Sequence, residues 1–419
     1  MSTRIKDIYS TLGKSLENLS VKKTLLRSLF ERFKEGGFEV KYWDGEVERY
    51  GSQEPSVRIV FNNPLPTDFD LEDPALSFGE AYMDEVFDIE GDLEEVFKII
   101  EMNMENVFVE NGSGIGCKMF SAAKALNSAK NNLQHKENIG HHYDLGNDFF
   151  SLWLDETMNY SCAYFKTPQD SLKDAQIQKI DHILKKLHLN PGEKLLDIGS
   201  GWGWLILRAA QHYDVEAYGI TLSEEQYQAT KERAKKLGLE DKVKVELLNY
   251  LDLDEDKYQF DKIVSVGMFE HVGKENLPRY MEKVERLLKK EGLSMLHTIT
   301  KPWEGPVNTW MQKYIFPGGY VPSLREIMWM LPNYDFHLIH VESLRMHYAM
   351  TLDRWHENFS RQKEEVEEMF DRRFVRMWEL YLRCCAASFK ESGLNIHQIL
   401  FSKGLNNDLP LTLEHIYIE

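Results

Sequence analysis

Leu195-Leu196-Asp197-Ile198-Gly199-Ser200-Gly201-Trp202-Gly203-Trp204 is a short apolar run that passes straight into a glycine-rich turn, and residues 205–212 after it carry helical spacing. Glycines let a backbone come close to a ligand, and the N-terminus of the following helix offers N–H groups that have no intrahelical partner. Strand, turn and helix in succession predict a nucleotide-type cofactor site; an ordinary βα turn, which also uses glycine, is the plainer alternative.

Outward from this stretch, the pattern from Leu172 onward is helix, strand, helix, strand, which predicts an α/β domain with a parallel sheet. The strands fall at 194–198, 215–221, 243–248, 262–266 and 294–299, with two more at 337–342 and 396–401. Two stretches stand outside this rhythm and are dense in aromatic residues: 138–165, and 300–323 with Trp303, Trp310, Tyr314, Phe316 and Tyr320.

The chain of 419 residues is long enough for two domains, and its 42% apolar content excludes global disorder. No run of about 18 apolar residues occurs and the N-terminus has no signal-peptide core, so a cytoplasmic protein that does not span a membrane is expected. Four cysteines (Cys117, Cys162, Cys384, Cys385) without CxxC spacing fit a reducing compartment and predict neither disulfides nor a zinc site. His141-His142 diverge if helical and lack a third ligand, so no metal is expected. A net charge of −18 argues against nucleic acid as a partner.

Ahead of the main domain, residues 19–33 have apolar positions at helical spacing with Lys22, Lys23, Arg27 and Arg32 between them. This is a basic amphipathic helix, which either packs on its own domain or meets a membrane surface. Residues 38–43 and 46–50 flank Asp44-Gly45, predicting a type I′ hairpin; a strand at 57–61 and a helix at 93–102 complete a small α+β unit. Between Asn62 and Glu110 the only basic residue is Lys98, which reads as a solvated acidic face. Residues 111–140 change character to Gly, Ser, Ala and Asn and read as a linker.

A dinucleotide site would place a carboxylate about 20 residues on, at the end of the second strand. Here the strand ends in Thr221, with Gln226 beyond it, and the turn is Gly199-x-Gly201-x-Gly203 rather than GxGxxG, so NAD is disfavoured. Asp197 either braces the turn or reaches the amino-acid end of S-adenosylmethionine.

The runs Gly140-His141-His142-Tyr143-Asp144-Leu145-Gly146-Asn147-Asp148-Phe149-Phe150, Tyr160-Ser161-Cys162-Ala163-Tyr164-Phe165 and Ile263-Val264-Ser265-Val266-Gly267-Met268-Phe269-Glu270-His271-Val272-Gly273 carry a resemblance. With the glycine turn, Gly219-Ile220-Thr221-Leu222-Ser223, His297-Thr298-Ile299 and Tyr314-Ile315-Phe316-Pro317-Gly318-Gly319, the sequence over roughly 138–405 resembles the cyclopropane-fatty-acid synthases, which include the mycolic acid cyclopropane synthases.

The resemblance implies a class I S-adenosylmethionine-dependent methyltransferase sheet with helical inserts over 137–419, a linker at 116–136, and a lipid-binding and dimerisation domain at 1–115. It implies cofactor contacts at Tyr160, Ser161, Gly199, Gly201, Thr221, Leu222 and Gln226, beside Asp197 and Gly203. The loop Asn249-Tyr250-Leu251 would meet the adenine, with Asn249 where relatives often carry an acid. It further implies methyl transfer to a cis double bond of a phospholipid acyl chain, at a membrane surface and by a homodimer. Bound bicarbonate would then take a proton, in a pocket of Cys162, Glu270, His297, Ile299 and Tyr348 near the Gly267 backbone. Tyr143, Trp303, Tyr314 and Phe316 are the candidate acyl-chain contacts, since aromatic faces stabilise a carbocation. Each residue also has a plainer reading: Cys162 and His297 as core, Glu270-His271 as a cap and surface pair, single aromatics as packing. The alternative activity is methylation that leaves a branched lipid, or that of a small amine.

Overall fold

The computed structural model describes residues 19–70, 73–104 and 145–417. Tyr143, His141, His142, Cys117 and the 116–136 linker lie outside the described residues. The chain forms two compact units that do not follow chain order. One comprises Met1–Asn127, Asn308–Tyr314 and Lys363–Ser392; the other comprises Ser128–Val307, Ile315–Gln362 and Gly393–Glu419.

In the first unit, strands β1 (Gly37–Lys41), β2 (Val47–Gly51), β3 (Val57–Phe61) and β4 (Phe87–Glu90) form a sheet of order β2-β1-β3-β4. The β1–β2 hairpin is not the expected type I′ turn. Only Gly45 has positive φ, Gly45 N–H donates to Tyr42 O and Tyr42 N–H donates to Glu46 O, so three residues make the loop. Asp44 can therefore keep ordinary φ while its carboxylate faces Lys23.

The helix Leu19–Phe30 turns its cations inward. Lys22 Nζ donates to Leu65 O, Lys23 bonds Asp44 and Glu46, and Arg27 pairs with Glu46 and Glu48. These three cations pair within the unit, as the reading of a helix packed on its own domain expects. The acidic stretch after Asn62 is not simply a solvated face. Its partners come from the helix Arg372–Glu391: Arg372 pairs with Glu85, Arg373 with Asp84, Arg376 with Asp88, and Arg383 with Asp92 and Glu94. Arg376 also donates to the carbonyls of Tyr82 (2.6 Å) and Phe87 (2.9 Å) and lies over the Tyr82 ring.

In the second unit, β5 (Lys194–Ile198), β6 (Glu216–Thr221), β7 (Val243–Leu247), β8 (Phe260–Val266), β9 (Leu288–Thr300), β10 (Phe336–Ser343) and β11 (Asn395–Lys403) form one sheet. Its order is β10-β11-β9-β8-β5-β6-β7, parallel from β9 to β7, with β11 antiparallel to both of its neighbours, β9 and β10. Successive side chains on a strand point to opposite faces, and here both faces are buried. Leu196, Ile263, Leu296 and Ile399 pack into one core, and their neighbours Leu195, Val264, Met295 and Leu400 into the other. Each such side chain contributes about 1.5–3 kcal/mol on burial, which is why these strands read as unbroken apolar runs. The chain passes outward from β5 to β6 and β7, then returns to β8 on the other side of β5. A crevice therefore opens at the carboxyl ends of β5 and β8.

Replacing Arg376 with Met keeps the aliphatic stem and removes the side-chain donor to two main-chain carbonyls and the ion-pair partner of Asp88. The substitution is expected to cost about 2–4 kcal/mol, read as a lower urea midpoint of the full chain with no change in S-adenosylhomocysteine affinity.

Candidate active site

At the end of β5 the amides of Gly199 (3.0 Å) and Ser200 (2.9 Å) both donate to Ile220 O, which bends the turn over the tip of β6. Gly199 has φ +84°, and a Cβ there would lie 2.9 Å from Met268 Cγ. Gly203, with φ +81°, precedes the helix Trp204–Tyr213, and a Cβ there would come within 2.3 Å of Thr230. No other residue fits either position.

The turn borders a cavity of about 480 Å³. Tyr160, Ser161, Asp197, Gly199, Gly201, Thr221, Leu222, Gln226, Asn249 and Tyr250 line it, ten of the eleven expected cofactor residues; Gly203 shapes the helix start instead. Thr221 Oγ1 donates to Gln226 Oε1 at 2.6 Å, which leaves the Gln226 amide N–H groups to donate. Asn249 Oδ1 accepts from Leu251 N–H at 3.0 Å, so its carbonyl belongs to the loop and its NH₂ faces other partners.

Tyr160 sits in an aromatic box, with Phe150, Trp153 and Trp355 at 5.5, 5.2 and 5.3 Å between ring centroids. The site also holds a residue that sequence reasoning missed. Lys179, on the helix Leu172–Lys186, is buried in the cavity wall and donates to Ser161 Oγ at 2.9 Å. Burial pulls its ammonium down to about 8, opposed by its neighbours Cys162, Asp155 and Asp197. A lysine on an amphipathic helix normally faces water, so nothing in the sequence marked it.

The five expected base-pocket residues lie outside the cavity lining, two of them next in sequence to lining residues: Cys162 to Ser161 and Glu270 to His271. Glu270 Oε1 accepts from Ile299 N–H at 2.5 Å, and burial raises its carboxyl to about 6, opposed by that amide. His297 O accepts from Gly267 N–H at 2.9 Å, and Gly267 lines the cavity beside Ser161. Cys162 Sγ donates to Ala163 O and approaches Leu344 O, from which the turn carrying Tyr348 begins. Burial pushes the Cys162 thiol far up, so it is no nucleophile. Glu270 Oε2 and His297 Nε2 are buried without hydrogen-bond partners among the described residues.

The acyl-chain expectations fare less evenly. The Phe316 ring meets His271, a cavity residue, edge-on at 5.6 Å. Trp303 is 73% exposed with Arg325 over its ring, and does not line the cavity. Tyr314 belongs to the first unit, where its hydroxyl donates to Glu80 and accepts from Arg373. Aromatic density alone did not separate these structural uses from a wall of the site.

A family model described as mycolic acid cyclopropane synthetase matches residues 130–399, and a second, described as a domain of unknown function, matches 25–112. The chain belongs to the mycolic acid cyclopropane synthetase family. It is 37% identical over 388 residues to a probable fatty acid methyltransferase of Pseudomonas putida, covering 90% of this chain and 95% of that one. It is 38% identical over 375 residues to the cyclopropane-fatty-acyl-phospholipid synthase of Escherichia coli strain K12, covering 84% and 92%. The solved mycolic acid cyclopropane synthase CmaA1, in complex with SAH and CTAB, superposes with a TM-score of 0.61 at 35% identity, over 64% of this chain and 98% of that one. The sheet order is accordingly that of a class I S-adenosylmethionine-dependent methyltransferase.

The donor set of the cavity suits S-adenosylmethionine. Asp197 Oδ1 is a buried acceptor without a partner among the described residues, fit for an ammonium. Burial, opposed by Lys179, raises the Asp197 carboxyl to about 7. Below that pH a cationic ligand must displace a proton; above it the carboxylate is already formed. S-adenosylhomocysteine affinity is therefore expected to rise by up to about tenfold per pH unit from about pH 5.5 to about pH 7 and then level off. Asp197→Asn flattens the profile; calorimetry across pH reads both.

Proposed function

We propose that this chain moves a methyl group from S-adenosylmethionine onto a cis double bond of a phospholipid acyl chain and closes a cyclopropane ring, with bicarbonate as the base. The first compound supplies an electrophilic methyl and the second a weak base, sufficient because proton loss beside a carbocation is steeply downhill. The alkene π pair forms the new C–C bond as the C–S pair leaves on sulfur. The neighbouring carbon becomes cationic, and the ring closes when a methyl C–H pair forms the third bond and its proton departs.

The observation that carries this reading is the pair of orphaned buried atoms, Glu270 Oε2 and His297 Nε2. Buried polar atoms left unpaired cost about 1–3 kcal/mol each. A small oxyanion bearing one proton answers both: it accepts from an imidazole N–H and donates to a carboxylate. His297 and Ile299 are two apart on β9, hence on one face, and Ile299 N–H fixes Glu270 against that strand.

The residues of this chain then divide the work. The Gly199 turn, Gln226 and Asp197 hold the methyl donor. The ring of Tyr160, which lines the cavity and is braced from behind by Phe150, Trp153 and Trp355, is offered to developing positive charge. Glu270 anchors and orients the base. Among the described residues no helix is long and apolar enough to cross a membrane.

Incubation with S-adenosylmethionine and vesicles of unsaturated phospholipid, followed by mass analysis of the acyl chains, tests the assignment. The expected product has gained one CH₂ and lost its double bond; a gain of CH₂ with the unsaturation retained would establish a branching methyltransferase instead. Glu270→Gln is expected to lower turnover by about 10²-fold or more, and removal of bicarbonate to do the same, while S-adenosylhomocysteine binding persists. Full activity under both conditions overturns the proposed base.

A further inference from the structure

Behind His297 runs a buried hydrogen-bonded chain that the reaction described above does not use. His297 Nδ1 lies 3.1 Å from Gln398 Nε2, across the β9–β11 register in which the two residues are direct partners. Gln398 Oε1 accepts from Lys186 Nζ at 2.7 Å. Lys186 also bonds Glu342 Oε2, which meets His182 Nε2 at 2.6 Å. His297 and Gln398 are fully buried, and Lys186 and His182 nearly so.

The donor and acceptor inventory fixes every orientation in this chain. An ammonium only donates, so Lys186 demands the carbonyl end of the Gln398 amide. The NH₂ end is thereby turned toward His297, and an NH₂ only donates. His297 Nδ1 must accept, so it carries no proton. A neutral imidazole then bears its single proton on Nε2, the atom that has no partner among the described residues.

The imidazole is also kept from gaining a second proton. Burial first, then the charges of Lys179 and Lys186, hold His297 well below its ordinary range. On Glu342, burial acts upward, but the His182 hydrogen bond and the Lys186 charge outweigh it and keep the carboxylate ionised.

We propose that Lys186 and Gln398 are positioning residues that lock His297 as a neutral Nε2–H donor, making it an anion-holding group and excluding it as the base. What the Nε2–H holds rests on the bicarbonate reading; the lock itself does not.

The lock is read directly from long-range ¹H–¹⁵N correlation spectra of the full chain labelled at histidine, with His297→Asn supplying the assignment. Wild type is expected to show one Nε2–H tautomer, unchanged between about pH 6 and about pH 9. In Gln398→Glu one carboxylate oxygen keeps Lys186 while the other, an acceptor, faces Nδ1, so the proton moves to Nδ1 and leaves Nε2 without one. The KM for bicarbonate is expected to rise about tenfold or more, the weight of a lost charge-assisted hydrogen bond, with S-adenosylhomocysteine affinity unaltered. Lys186→Met frees the amide to flip and gives a tautomer mixture, whereas Lys186→Arg, again a pure donor, restores the single form; this pair decides the matter should Gln398→Glu fail to fold. An Nδ1–H tautomer in wild type, or an unchanged spectrum in both Gln398→Glu and Lys186→Met, overturns the lock. A lock that stands without any bicarbonate dependence overturns only the bicarbonate reading.

Discussion

One carbonyl oxygen, that of Ile220 at the tip of β6, accepts from two consecutive amides, Gly199 and Ser200. That pairing forces the chain leaving β5 to turn across its neighbour, which only a glycine backbone at 199 and 203 permits in the space left by Met268 and Thr230. The cavity follows from it. On the far side the Gly267 amide on His297 O plays the matching part, tying the end of β8 to β9. Both walls of the site are thus set by main-chain hydrogen bonds between strand ends, and the side chains inherit their positions from a sheet whose two faces are closed by apolar cores.

Into this low-dielectric setting the chain places an unusual number of ionisable groups: Lys179, Lys186, Asp197, Glu270 and His297. An isolated buried charge is prohibitively costly, so each must be neutral or paired. Glu342 ionises because Lys186 and His182 face it; Lys179 and Asp197 each temper the other's burial; His297 stays neutral. The atoms left over after this pairing include Asp197 Oδ1, on a residue of the cavity lining, and Glu270 Oε2 and His297 Nε2.

The strands of the larger unit were legible because burial on both faces imposes contiguous apolar residues: the runs at 194–198 and 396–401 fall within a residue or two of β5 and β11. The glycine turn was legible because its conformation excludes other residues. Charge was not legible in the same way. Lys22, Lys23 and Arg27 have the periodicity of a surface stripe, yet their partners lie on a hairpin and a loop downstream. The acidic stretch after Asn62 meets its cations almost 300 residues later, in Arg372–Glu391. Spacing reports which way a side chain points on its own element; it does not report what stands opposite. Lys179 and Lys186 were hidden for the same reason, one helical face away from where water would have been assumed.

The proposed chemistry bears on which lone pairs of so polar a site are occupied and which are left for ligands. A carbocation is captured by any electron pair within reach, so a pocket that holds a small anion must supply donors without supplying nucleophiles. Cys162 remains a thiol and gives its proton to Ala163 O. Ser161 Oγ accepts from Lys179, His297 Nδ1 accepts from Gln398, and Glu270 Oε1 accepts from Ile299. Each of these groups would be a competent trap if its lone pair were exposed. The hydrogen bonds behind Ser161, His297 and Glu270 Oε1 each engage a lone pair of those groups, and under the proposed chemistry the remaining Glu270 Oε2 accepts the proton of the anion. Under this chemistry the buried lysines and amides serve selectivity as much as stability, since they decide where the cation can go.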